Sequence, residues 1–272
     1  MSKNYMHKTD DFISYHMRTE SPVDYPLHNH NIYEIIFLKN GDLSYMSEGK
    51  IYKPVKNSLI LTPPLKNHSI HFHSDAAYER YCILFDEKSL PPSIQAKMPS
   101  DTIVVNFDSH SLMTDLFKKM DYYYEMFAKE ERELLLKRLM EEALFNITLT
   151  SQKTTESDVY TSHPLILSAI EYIEKHLHSP FTINDICDEL YISKSHLHHL
   201  FIRHLQMTPQ KYIMSKKLST AQRELRFGRK ATEIFSECGF ADYSTFFRAY
   251  KSHFGHAPSA EIDMDITREI LS

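Results

Sequence analysis

The apolar pattern of residues 183–201 returns at 231–250. In the first copy Ile183, Ile186, Cys187 and Leu190 form a stripe at helical spacing. A break follows at Tyr191–Ser193, and a second stripe runs through Leu197, Leu200 and Phe201. In the second copy Ala231, Ile234, Phe235 and Cys238 precede a break at Gly239–Asp242, followed by Phe246 and Tyr250. Stripes with a period near 3.6 cannot lie on one face of a strand, so this region folds as two helix–turn–helix units. Thr208-Pro209 supplies a cap and a first-turn proline for a helix between them, running to about Leu225. A rigid helix there fixes the spacing of the two units.

Upstream the period changes. Ile32–Leu38, Leu43–Met46, Ser58–Leu61, Ile70–Phe72, Tyr81–Phe85 and Ile103–Phe107 are short apolar segments. Turn residues such as Asn40-Gly41-Asp42, Pro63-Pro64 and Pro91-Pro92 separate them, so 22–107 reads as a β sandwich or barrel. Leu112, Leu116, Met120, Tyr123 and Phe127 then recur at spacings of three and four, as do Leu136, Met140, Ala143 and Ile147, predicting a helix pair over 112–127 and 131–149. Residues 151–162 are polar and aperiodic. The predicted fold is therefore α+β in two domains: 1–150 with strands and a helix pair, a linker at 151–162, and an all-α domain at 163–262.

Composition excludes several classes. The five glycines among 272 residues are too scattered to build a G-x-G-x-x-G turn or a phosphate-cradling loop. Cys82, Cys187 and Cys238 are odd in number and far apart, which excludes a fully paired disulfide framework and implies a reducing compartment; their apolar neighbours place them in the core. No G-x-S-x-G elbow presents a nucleophile. No apolar run approaches the ~18 residues of a membrane span, and the opening MSKNYMHKTDD lacks the apolar stretch of a secretory leader, so the expectation is a cytoplasmic protein that avoids membranes.

The net charge of −5 is unevenly spread. From Lys194 to Lys230 nine basic residues (Lys194, Arg203, Lys211, Lys216, Lys217, Arg223, Arg226, Arg229 and Lys230) face one acid, Glu224, which points to a local polyanion contact. Thr182 with Asp185 makes a capping box, and Ser193 and Asp242 cap the second helix of each unit. Those caps leave Lys194, Ser195, His198 and His199 outward in one unit, and Tyr243, Ser244, Thr245 and Arg248 in the other. Short polar side chains at a helix start reach base edges, Lys194 neutralises a phosphate, and Arg203 joins the DNA-binding set.

The run Ile186–Phe201, Thr208-Pro209 with Tyr212, Ala221 and Leu225, and Thr232-Glu233-Ile234 with Gly239-Phe240, Asp242, Ser244, Phe246, Arg248, Tyr250-Lys251, Phe254-Gly255 and Pro258 resembles the double helix–turn–helix domain of AraC/XylS-family transcription regulators. The resemblance covers roughly 163–260. It implies double-stranded DNA as partner and Ser195, His198, His199, Tyr243, Ser244, Thr245 and Arg248 as base-facing residues, and it adds RNA polymerase as a protein partner. Gln206 stands where the family usually has Gly, Phe235 where it has Ala, and Glu261-Ile262 where it often ends in Tyr-Arg.

The amino-terminal half resembles the family's cupin-like sensor barrel, through His28-x-His30-x3-Glu34-x6-Gly41 and Pro63…His68. His28, His30 and Glu34 share strand parity. Imidazole and carboxylate suit Zn, Fe, Ni or Mn, but the same side chains hydrogen-bond organic effectors, and that second role is the expectation: a small-molecule effector, sugar-like at the family level, with no cofactor. The competing reading is a metal-dependent cupin enzyme using His28, His30, Glu34 and His68. Tyr15, Tyr25, Tyr33 and Tyr45 are candidates for stacking on a sugar ring, while His71 and His73 read as exposed edge residues. The helix pair carries a second stripe, Leu135, Leu139, Glu142 and Asn146, predicted to face a second copy in a homodimer.

Overall fold

The computed structural model describes residues 4–9, 11–107, 111–150, 159–161 and 163–263. Its chain separates into two compact units. The first comprises 1–26, 32–47 and 51–160; the second takes in 161–272 together with the short segments Leu27–Asn31 and Glu48–Lys50.

The strands are β1 (Tyr5–Lys8), β2 (Phe12–Thr19), β3 (Tyr25–His28), β4 (Tyr33–Asn40), β5 (Leu43–Ser47), β6 (Lys50–Tyr52), β7 (Ser58–Thr62), β8 (His68–Phe72), β9 (Tyr78–Phe85), β10 (Ile103–Asn106) and β11 (Val159–Thr161). They form a six-stranded sheet, β1-β2-β9-β4-β7-β10, and a five-stranded one, β11-β6-β5-β8-β3. The domain is β-rich as expected, but its strands make two open sheets rather than a closed barrel. Backbone pairing stops at the four-residue edge strands β1 and β10. Side chains bridge the sheets instead: the Tyr45 hydroxyl on β5 meets the Thr62 hydroxyl on β7 at 2.6 Å.

Alternation assigns the two faces of the large sheet. β9 pairs β2 with Phe12 opposite Phe85 and β4 with Tyr33 opposite Phe85, so residues of one parity line up across three strands. Tyr33, Ile35, Phe37, Tyr81, Ile83 and Phe85 form a core with helices α2 (Leu112–Met126) and α3 (Lys129–Thr150), which follow the single turn α1 (Pro92–Gln95). Phe37 stacks on Phe117 at 4.5 Å, and the Ser111 side chain caps α2 by accepting from the Thr114 N–H. Glu34, Arg80 and Cys82, of the opposite parity, lie outside that core. Strands β1, β2, β3 and β6 went unread in the sequence, since Phe12–Thr19 buries Ser14 and His16 as well as its apolar residues and so shows no alternation. The linker expectation at 151–162 falls mostly outside the described residues, which there include only β11.

The second unit holds α4 (Pro164–His176), α5 (Ile183–Glu189), α6 (Lys194–Leu205), α7 (Pro209–Arg226), α8 (Ala231–Ile234) and α9 (Tyr243–Phe254). Long helix α7 serves both repeats. Its Tyr212 ring meets Phe201 edge-on at 5.6 Å, and Leu218, Ala221 and Leu225 join Ile234, Cys238, Phe240, Phe246 and Tyr250 in the second core. The same helix holds the two short segments of this unit: Ser219 donates to the Asn29 side chain at 2.5 Å, and Lys216 reaches Glu48 at 2.8 Å. Gly239 adopts φ +73° after α8, and a Cβ there would sit 2.8 Å from the Leu177 carbonyl oxygen, so glycine is required by both conformation and space.

Candidate functional site

Two helices of equal length, α6 and α9, each of 12 residues, begin with a capped and polar first turn. The Ser193 hydroxyl accepts from the His196 N–H at 3.1 Å, and the Asp242 carboxylate accepts from the Thr245 N–H and hydroxyl, both at 2.8 Å. Those bonds hold the Asp242 carboxyl below its usual range, the Thr245 N–H contributing most. In α5 the capping box is complete, since Thr182 and Asp185 bond reciprocally. Leu197, Leu200 and Phe201 bury one face of α6, as Phe246 and Tyr250 do for α9. Ser195, His198, His199, Tyr243, Ser244, Thr245 and Arg248 are left exposed, as are Lys194 and Arg203. The structure thus groups the predicted residues by helix, Lys194, Ser195, Tyr243, Ser244 and Thr245 on the first turns and His198, His199, Arg203 and Arg248 further along.

The basic run is a different matter. Lys216 is buried, with its ammonium 2.8 Å from Glu48 and 3.2 Å from Glu174. Lys217 is also buried and donates to the Gly239 carbonyl at 2.7 Å. Arg226 pairs with the buried Glu261, and Arg229 with Glu224 and Glu237. Four of the nine cations therefore hold the unit together, while Lys194, Arg203, Lys211 and Lys230 are exposed. Glu261, at the position where the sequence departs from the usual ending, accepts from Arg226, Gln222 and the Tyr250 hydroxyl, tying the end of the unit to α7 and α9.

In the first unit Glu34 on β4 and His68 on β8 meet at 3.4 Å. The His68 Nδ1 lies 2.8 Å from the Lys66 carbonyl, an acceptor, so Nδ1 carries the proton and Nε2 is turned to Glu34. Of the four predicted side chains, Glu34 and His68 are thus brought together in this unit, while His28 and His30 belong to the segment Leu27–Asn31 of the second unit. There the His28 ring lies 6.2 Å from that of His30. Tyr45 stacks on His68, and the Cys82 thiol donates to Glu34 at 3.5 Å. Burial pushes the Cys82 thiol and the Tyr15 and Tyr45 phenols well above their ordinary values, so all three stay protonated donors.

Two sequence expectations need correction. Tyr33 stacks on Phe85 in the helix-side core and does not join Glu34, because adjacent strand residues face opposite ways. Leu139 is buried inside the unit, so the outward stripe assigned to α3 is misplaced. The three cysteines are buried and unpaired, and burial raises all three thiols, Cys238 to about 12. Arg80 and Tyr78 were missed; the available signal was a charged residue sharing parity with Cys82 and Leu84 in a buried strand.

Two family models match this chain: an AraC-like ligand binding domain over residues 16–104 and a helix-turn-helix domain over 186–262. These are the two halves of one kind of molecule, a regulator that couples a ligand-binding module to a DNA-binding one. The chain belongs to the AraC family of transcription regulators. It is 22% identical over 250 residues to the transcriptional activator RhaS of Escherichia coli (strain SMS-3-5 / SECEC), covering 86% of each chain. It is 32% identical over 92 residues to the raffinose operon regulatory protein RafR of Pediococcus pentosaceus, but that match spans only 33% of RafR and 34% of this chain. Among solved structures it is similar to apo ToxT K231A from Vibrio cholerae, at 16% identity and a TM-score of 0.43 over 96% of this chain and 99% of that one. No helix among the described residues is long and apolar enough to cross a membrane.

Proposed function

We propose that the protein is a cytoplasmic, homodimeric regulator, not an enzyme. It reads double-stranded DNA through α6 and α9, and its first unit takes a small-molecule effector. The observation that carries this reading is the pair of capped 12-residue helices, each with a buried apolar face and an exposed polar first turn. In this reading Ser195, His198, His199, Tyr243, Ser244, Thr245 and Arg248 meet base edges, while Lys194 and Arg203 meet phosphates. His28, His30, Glu34 and His68 contact the effector, which is of sugar-like class. The domains run 1–150 and 163–262 around a linker at 151–162, and RNA polymerase is a further partner.

With both helices in successive major-groove turns, the contacts are centred about 10 bp apart. The test is a gel shift on an operator isolated by selection from random DNA. His198→Ala and Arg248→Ala each should cost about 1–3 kcal/mol, the worth of a good base contact. Wild-type affinity in both variants would overturn the assignment.

The pairing of Glu34 with His68 favours one second reading, a metal-dependent cupin enzyme. Metal analysis separates the two. The regulator reading expects purified protein to carry well under one equivalent of Zn, Fe, Ni or Mn and to keep its DNA affinity after chelation.

A further inference from the structure

Arg80 lies on β9 with the parity of Cys82, facing away from the helix-side core. It is only 7% exposed. Its guanidinium carbon sits 4.3 Å from the centre of the Tyr78 ring, 5.5 Å from Tyr15 and 5.8 Å from Tyr25. Nη2 donates to the Tyr25 hydroxyl at 3.2 Å, and Nη1 is buried with no hydrogen-bond partner among the described residues. No carboxylate among the described residues pairs with it.

That is costly; the buried lysines of the second unit each meet a carboxylate or carbonyl acceptor. Lys216 has Glu48 and Glu174, and Lys217 donates to the Gly239 carbonyl at 2.7 Å. Arginine stays ionised at any physiological pH, so the Arg80 charge is not relieved by losing its proton. Nor do the surrounding phenols supply a counter-charge, since burial raises Tyr15 and Tyr78 well above their ordinary values and both are neutral. Aromatic faces offset part of the desolvation but leave the planar N–H fork unmet. A fork of that shape fits a carboxylate or phosphate. The same interior offers hydroxyls and mixed donors and acceptors at Tyr45, Thr62, Glu34 and His68.

We propose that Arg80 is the anion-recognition group of the first unit and that the effector is a hydroxylated organic oxyanion, such as a sugar acid or a sugar phosphate. The inference rests on the effector-binding reading above and narrows it from a sugar-like molecule to a negatively charged one. Tyr78, Tyr15 and Tyr25 then hold the guanidinium in place and exclude water around it.

The test is the melting temperature of the full chain in sodium gluconate, sodium glucuronate, glucose 6-phosphate and inorganic phosphate. Each is compared with sodium chloride at equal ionic strength, and with neutral methyl glucoside. We expect at least one oxyanion to raise the wild-type melting temperature with a saturable dose dependence. Arg80→Met should abolish that rise. Arg80→Lys keeps the charge but loses the fork and should move the midpoint at least tenfold higher; it also serves if the methionine variant fails to fold. The ranking of carboxylates against phosphates identifies the source of the oxyanion. A wild-type protein that melts alike in every anion and in chloride overturns the proposal, as does an unchanged midpoint in Arg80→Lys. A rise with methyl glucoside in wild type and variants alike, without an anion effect, also overturns it while leaving the effector reading intact.

Discussion

Lys194 and Lys216 are the same residue type in the same basic run, and the structure gives them opposite work. Lys194 stands exposed on the first turn of α6, whereas Lys216 is buried between two carboxylates. A charge count along the chain cannot separate them, because burial depends on which helix face meets a neighbour. Periodicity does not separate them either, since α7 buries every residue from Lys216 to Gln222. The consequences differ in kind. Lys216→Met leaves Glu48 and Glu174 facing each other without their cation and should cost on the order of 3 kcal/mol of stability. Denaturant unfolding would measure it, with little change in the salt dependence of DNA binding. Lys194→Ala should leave stability within about 0.5 kcal/mol and lower the log–log salt slope by about one phosphate contact. If the two variants exchange these behaviours, the division of the basic run into structural and surface cations is wrong. Arg80 was illegible for a related reason: its parity was readable, but the three tyrosines around it come from β2, β3 and the start of β9, and no local pattern unites them.

At the scale of single elements the sequence was most legible where capping chemistry is local. Thr182 with Asp185, Ser193, Thr208 and Asp242 all cap as their spacing predicts, because the donors they meet lie three residues away. Elements that depend on distant pairing were harder; β1 and β2 carry little alternation of their own. The caps predict acid behaviour. Asp242 is held below the usual carboxylate range by the Thr245 N–H and hydroxyl, and Asp185 by the Thr182 hydroxyl and N–H. A depressed folded-state value means their contribution is fully present above the ordinary carboxylate value and is lost as pH falls through the folded one. Circular dichroism at 222 nm should therefore show helix loss on acidification, and the double variant Asp185→Asn, Asp242→Asn, which caps without titrating, should flatten that limb. An identical acid limb in the variant would refute the assignment. Gln206 supplies a further case. It ends α6 at φ +55°, where the family usually has Gly. Gln206→Gly should stabilise the protein by about 1 kcal/mol, because the left-handed conformation costs glycine nothing sterically. Thermal or denaturant melts decide the sign.

At the scale of the molecule the proposed dimer turns on which face of α3 is outward. The apolar stripe drawn from sequence ran through Leu139, yet Leu139 is buried in the unit, and among the described residues of α3 the exposed large apolar ones are Leu134 and Phe145, at 52% and 45%. The error is one position in sequence but about 100° around the helix, and two stripes of leucines side by side read equally well. Leu134 and Phe145 are three turns apart on one face, with Arg138 and Glu141 between them. A twofold axis between positions 139 and 140 on an antiparallel helix pair sets Leu134 against the partner's Phe145 and Arg138 against the partner's Glu141. Such a face complements itself, as an isologous contact requires. Light scattering at micromolar concentration should give a dimer for the wild type and a monomer for Leu134→Glu, with the melting temperature of the variant nearly unchanged, since the new charge stays in water. Arg138→Glu should also weaken the dimer, and adding Glu141→Arg should restore it by reversing the charge pair. Leu139→Glu would instead bury a carboxylate in the core of the first unit and lower stability at any concentration. A wild-type monomer, or a dimer that survives both Leu134→Glu and Arg138→Glu, would remove this face of α3 from the assembly.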